Sequence, residues 1–119
     1  MMDEKLQSQI FDLGIEENLV FDNNFFSLWE QLASWQIEIL KKTGLEPEHK
    51  LLDIGCGPLR FGSEAIQYLN EDSYFGIDPF KPYIRVGSRI TKLLGIDKKY
   101  SVIESASFEF DKFEAKFDF

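Results

Sequence analysis

Between residues 23 and 42, Phe25, Leu28, Trp29, Leu32, Trp35 and Ile39 recur at steps of three and four. That spacing predicts a long helix with one broad apolar stripe, which packs on a core rather than on a ligand. Asn23 and Asn24 offer its N-cap, Lys41 and Lys42 suit the negative end of its dipole, and Gly44 supplies the stop. The acidic, mixed segment before it holds a short helix ahead of Gly14. After Pro47 the pattern changes. Residues 50–54 form a short apolar run that ends in glycines and reads as a buried strand. Residues 63–69 return to helical spacing, 73–78 form a second strand, and 83–94 a helix ended by Gly95. Residues 100–104 make a third strand, and 116–119 look like the opening of a fourth. Strands alternating with helices predict βαβ units and a parallel sheet: an α/β, Rossmann-like doubly wound fold, incomplete, behind a helical extension. The expected division is 1–46 for the extension and 47–119 for a partial α/β domain.

Composition narrows the picture. The 119 residues suffice for one domain. Hydrophobic residues at 44% and charged residues at 29% exclude wholesale disorder. Lys and Arg total 13 against 21 Asp and Glu, a net charge of −8, which disfavours a nucleic-acid surface built on clustered cations. One cysteine, Cys56, excludes an intrachain disulfide and a cysteine-based zinc cluster, and one histidine, His49, excludes a His-rich metal centre. His49 reads as a solvated loop residue. No apolar run approaches the ~18 residues of a membrane span. The polar start, residues 1–10, lacks the basic end and apolar core of a signal peptide, so a cytoplasmic protein is expected.

The strongest chemical signal is Asp53-Ile54-Gly55-Cys56-Gly57-Pro58-Leu59-Arg60-Phe61-Gly62, between a strand and a helix. In an α/β sheet that junction is where ligands bind, because glycines let the backbone approach and the next helix presents free N–H groups. A dinucleotide G-x-G-x-x-G pattern started at Gly55 fails at Arg60, and a P-loop needs a Gly-Lys-Ser/Thr tripeptide that is absent. About twenty residues on, Asp78 ends the next strand, where an acid accepts from ribose hydroxyls. Singly, an aspartate at a turn, glycines after a strand and an aspartate before proline are ordinary. In this order and spacing they are not.

Leu-Leu-Asp-Ile-Gly-Cys-Gly at 51–57 and Tyr-Phe-Gly-Ile-Asp at 74–78 resemble the first two motifs of class I S-adenosylmethionine-dependent methyltransferases. The phenylalanine-rich close of the chain, from Phe108 to Phe119, resembles the approach to that family's fourth strand. The resemblance covers about residue 50 to the end. It implies S-adenosylmethionine as cofactor, with Gly55 and Gly57 along its methionine half and Cys56 inside the same loop. Asp53 would brace the loop near the positive end, Asp78 would hold the ribose, and Phe80 would pack on adenine. Ser107 or Phe108 falls where the family reads the adenine edge. A tighter family pattern has a third glycine where this chain has Leu59, and Gly62 would then serve close helix packing. With no histidine nearby in sequence, Cys56 is expected to be a packing thiol rather than a nucleophile. Arg60 can reach the cofactor carboxylate or pair with Glu64, and the pair is the expectation.

The resemblance thus implies the cofactor half of a methyltransferase, expected to be inactive alone as a truncated domain. The acceptor and any catalytic base are not readable from these residues. The alternative is a non-catalytic cofactor-binding or interaction module on a degenerate methyltransferase scaffold. Ending near Phe119 is expected to leave the first strand with an open apolar edge, favouring self-association.

Overall fold

A computed structural model describes residues 2–119. Two helices, α1 (Glu4–Glu16) and α2 (Asn23–Thr43), precede β1 (Leu51–Ile54), α3 (Arg60–Tyr68), β2 (Tyr74–Asp78), α4 (Lys81–Leu93) and β3 (Ser101–Glu104). A short 3-10 turn, Phe110–Phe113, follows. The three strands are parallel in the order β1-β2-β3, with Leu51 beside Tyr74 and Phe75 beside Ser101. This is an α/β fold of parallel strands alternating with helices. Among the described residues, no helix is long and apolar enough to cross a membrane.

Local chemistry explains the element ends. Asp3 and Asp22 each accept a hydrogen bond from the backbone N–H three residues on, at 2.8 and 2.9 Å, which satisfies an orphan donor of α1 and α2. The cap of α2 is therefore Asp22, one residue before the predicted asparagines. Gly44 ends that helix with φ at 114°, a left-handed turn that a side chain resists. Contrary to the predicted stop, α1 runs through Gly14 to Glu16.

The stripe on α2 is not the one that the spacing picked. Phe26, Trp29, Ala33 and Ile37 are buried, whereas Leu28, Trp35 and Ile39 are 46%, 62% and 40% exposed. The helix carries two apolar rows, and the inner one is built around a small residue, Ala33, that lets another helix approach. Two apolar clusters result. One, including Ile37, Leu51, Ile66 and Tyr74, joins α2 and α3 to the sheet. The other, including Ile10, Phe21, Trp29 and Ile90, ties α1, α2 and α4 together. Fully buried aliphatics such as Ile66, Ile77 and Ile90 each contribute about 1.5–3 kcal/mol of transfer free energy.

No fourth strand forms among the described residues, yet the chain end lies where one would start. The Asp118 and Phe119 N–H groups donate to the Lys50 carbonyl at 2.8 and 3.2 Å, and Leu52 N–H donates to the Phe119 carbonyl at 2.9 Å. These bonds occupy the edge of β1 opposite β2. Phe113 and Phe117 pack edge-on against Phe75, each with centroids 5.2 Å away. His49 differs from expectation. Its Nδ1 accepts from Glu46 N–H at 2.9 Å, and its ring lies 5.4 Å from Phe119, so it closes a turn instead of facing only solvent.

Candidate functional site

The loop between β1 and α3 is held by β2. Gly55 and Cys56 N–H groups both donate to the Ile77 carbonyl, at 2.8 and 3.1 Å. Gly57 N–H donates to Asp78 Oδ2 at 2.9 Å, and Phe80 N–H donates to Asp78 Oδ1 at 2.8 Å. Asp78 is thus buried beneath the loop, with one backbone donor on each carboxylate oxygen and further lone pairs remaining. Bracing the loop, expected of Asp53, is done here by Asp78. Asp53 instead accepts a 2.6 Å hydrogen bond from the Tyr74 hydroxyl.

Three consecutive odd positions have left-handed backbones: Gly55 at φ 76°, Gly57 at 56° and Leu59 at 66°. A Cβ built on either glycine would meet nothing within 4 Å, so these glycines serve the backbone turn and leave open space above it. Leu59 adopts the glycine-like conformation at the position where the methyltransferase pattern has its third glycine. Its side chain is buried against Gly62 and Gly87.

Above the loop lies a cavity of about 470 Å³, within the range typical of small-molecule sites. Asp53, Gly55, Cys56 and Gly57 line its floor. Leu19, Phe21 and Phe25, from the turn between α1 and α2 and the start of α2, form part of its wall, with Tyr83 from α4. Two further lining residues, Gln36 and Arg60, carry atoms without a partner: Gln36 Oε1 and Arg60 Nε are buried and make no hydrogen bond. The expected Arg60–Glu64 pair does not form. Glu64 lies on another side of α3, in a recess shared with Trp29 and Leu94.

Electrostatics differ along the floor. Burial pushes the Asp53 carboxyl above its ordinary range, the Tyr74 hydrogen bond opposes that rise, and the nearby Asp78 charge adds to it. Burial, with Asp53 and Asp78, pushes the Cys56 thiol up to about 12. A thiol so protonated is no nucleophile at neutral pH.

The remaining predicted residues stand apart from the cavity. Phe80 is exposed and contacts Tyr83 edge-on at 4.8 Å. Ser107 is exposed and donates to Glu109 Oε1 at 2.9 Å, and Phe108 is exposed with φ at 54°. Neither lines the cavity. The residue that follows β3 and touches Asp78 is Ser105, whose N–H donates to the Asp78 carbonyl at 3.1 Å. Gln36, Tyr83 and the turn at 19–21 carry no motif signal, since only tertiary folding brings them over the loop.

No protein-family model matches the chain, and no curated protein matches it. Solved structures do. One is the YcgJ protein from Bacillus subtilis, 24% identical, with a TM-score of 0.46 over 56% of this chain and 28% of that one. Another is YjhP from E. coli, 16% identical, with a TM-score of 0.48 over 82% of this chain and 36% of that one. Both are partial similarities of fold, and this chain spans about a third of their length.

Proposed function

We propose that the cavity over the glycine loop binds S-adenosylmethionine and that the chain is the cofactor half of a methyltransferase. One observation carries the reading: a strand–glycine loop–helix junction is tied by the Gly57–Asp78 bond to the acid that ends the next strand. That arrangement joins both motifs of the sequence resemblance in one site.

The residues present fit such a ligand. The unpartnered Arg60 Nε is a donor for a carboxylate. The unpartnered Gln36 Oε1 and the Asp53 carboxylate accept from, or attract, cationic nitrogen and sulfur groups. No side chain caps α3, so its first N–H groups are available to an anion. Asp78, expected to hold the ribose, lies beneath the loop and does not line the cavity, so in this structure it supports the ligand site by fixing the loop backbone. When bound, S-adenosylmethionine supplies a methyl group activated by the sulfonium. The chain's own contribution is orientation: the loop backbone fixes one end of the ligand, and Phe21 and Phe25 give the cavity an apolar wall.

Titration calorimetry on the 119-residue chain tests the reading. S-adenosylmethionine and S-adenosylhomocysteine are expected to bind and NAD to give no heat. NAD binding without S-adenosylhomocysteine binding overturns it.

A further inference from the structure

We propose that Tyr74 is a positioning residue of this site: its phenol, passing close under helix α3 where Gly62 leaves room, holds the Asp53 carboxylate at the floor of the glycine-loop cavity. The hydroxyl donates to Asp53 Oδ2 at 2.6 Å, a short, charge-assisted bond. Tyr74 is 1% exposed, so the phenol has no water to turn to. Its path depends on a missing side chain. A Cβ on Gly62 would stand 2.7 Å from the Tyr74 oxygen and 3.0 Å from its ring carbon Cζ. Gly62 sits in the first turn of α3, where alanine is the better helix former. The glycine therefore clears the phenol's route to Asp53.

The pair sets the charge of the floor. Burial works against an ionised Asp53, as does the Asp78 charge, whereas the phenol's donated proton favours the carboxylate. Tyr74 keeps that proton because burial, Asp53, Cys56 and Tyr100 all push its own ionisation far up. The Cys56 thiol interacts with Asp53 and stays protonated, and Arg60 from α3 and the uncharged Gln36 from α2 line the same cavity. Taking away the phenol leaves a half-buried carboxylate with no hydroxyl to hold it, so it turns freely and protonates more readily. A cationic ligand then meets a weaker and less fixed charge. This last step rests on the proposed cofactor, whose sulfonium and ammonium are cations.

Two measurements separate the proposals. Carbon-13 NMR on the ligand-free chain follows the Asp53 carboxyl through a pH titration in wild type, Tyr74→Phe and Gly62→Ala. Both variants are expected to move the Asp53 midpoint up by about one pH unit, because each removes the donor. Gly62→Ala keeps both partners and crowds the phenol's route, with Leu59 Cδ2 also 2.9 Å from the new Cβ, so it decides the matter if Tyr74→Phe fails to fold. Calorimetry with S-adenosylmethionine across the same pH range should show affinity falling on acidification about one unit earlier in Tyr74→Phe. An unshifted Asp53 midpoint in the variants overturns the role of Tyr74. Absence of S-adenosylmethionine binding by wild type overturns the cofactor reading, and the titration still decides whether Tyr74 holds Asp53.

Discussion

Leu59 shows at a single residue how the loop departs from a glycine pattern without changing course. A left-handed backbone costs a residue with a Cβ roughly 1–2 kcal/mol. The buried side chain repays that, since a leucine truncated in a core loses about 2–5 kcal/mol. Both Leu59→Ala and Leu59→Gly should therefore destabilise, but in an unusual order. Alanine loses the packing and keeps the strain. Glycine loses the packing and is released from the strain, against about 0.5–1 kcal/mol of extra chain entropy. Urea unfolding should find Leu59→Gly at least as stable as Leu59→Ala. An alanine variant clearly more stable than the glycine variant would show that φ at 66° carries no strain here.

At the level of elements, α1 is fastened to α4 by charge as well as by the cluster around Phe21. Arg85 Nε and Nη2 donate to the two oxygens of Glu17 at 2.9 and 2.7 Å, and Arg89 Nη1 donates to Glu16 at 2.6 Å. The groups are solvent-facing, so salt screens them. The Arg85 hydrogen bond holds the Glu17 carboxyl below its ordinary range. A depressed carboxylate stabilises fully above its unfolded value and loses that contribution as pH falls through the folded one. The protection of α1 amides, taken relative to their intrinsic exchange rate at each pH, should thus fall in acid below about pH 4.5 and in high salt, while the sheet stays protected. Glu17→Gln should remove most of the acid effect. Protection of α1 that does not change with acid in the wild type would show that the ion pairs contribute nothing. The same elements show what the sequence made legible. The strands and the helices after residue 50 follow from Gly and Pro punctuation and apolar runs, each to within a few residues. The face of α2 did not, because ten apolar residues between Phe25 and Leu40 support two rows, and Ala33 decides between them only once α3 is in place. In the candidate site the loop and Asp78 are local in sequence and were readable. Tyr74 beneath Gly62, and Gln36 in one cavity with Arg60, join through space and were not.

For the whole molecule, the outer row of α2 has a consequence. Leu28, Trp35 and Ile39 lie on solvent, and Trp35 and Ile39 continue into a groove of about 510 Å³ with Leu40, Leu52 and Phe119 beside β1. Phe119 covers only the first part of that strand's edge, and Ile54 at its end is 58% exposed. Contiguous apolar surface next to a partly unpaired strand edge favours contact between copies. The net charge of −8 opposes it, with a reach of ~10 Å in 0.1 M salt and ~3 Å in 1 M. The two effects predict a distinctive salt dependence. Light scattering after size exclusion should show association that grows with concentration and strengthens as salt screens the charge. Trp35→Lys places a cation in the centre of the patch and should reduce association at every salt concentration. It should leave the melting temperature nearly unchanged, since the indole is 62% exposed. A monodisperse monomer at high protein and high salt concentration would mean that the groove and the edge of β1 are already satisfied within one chain.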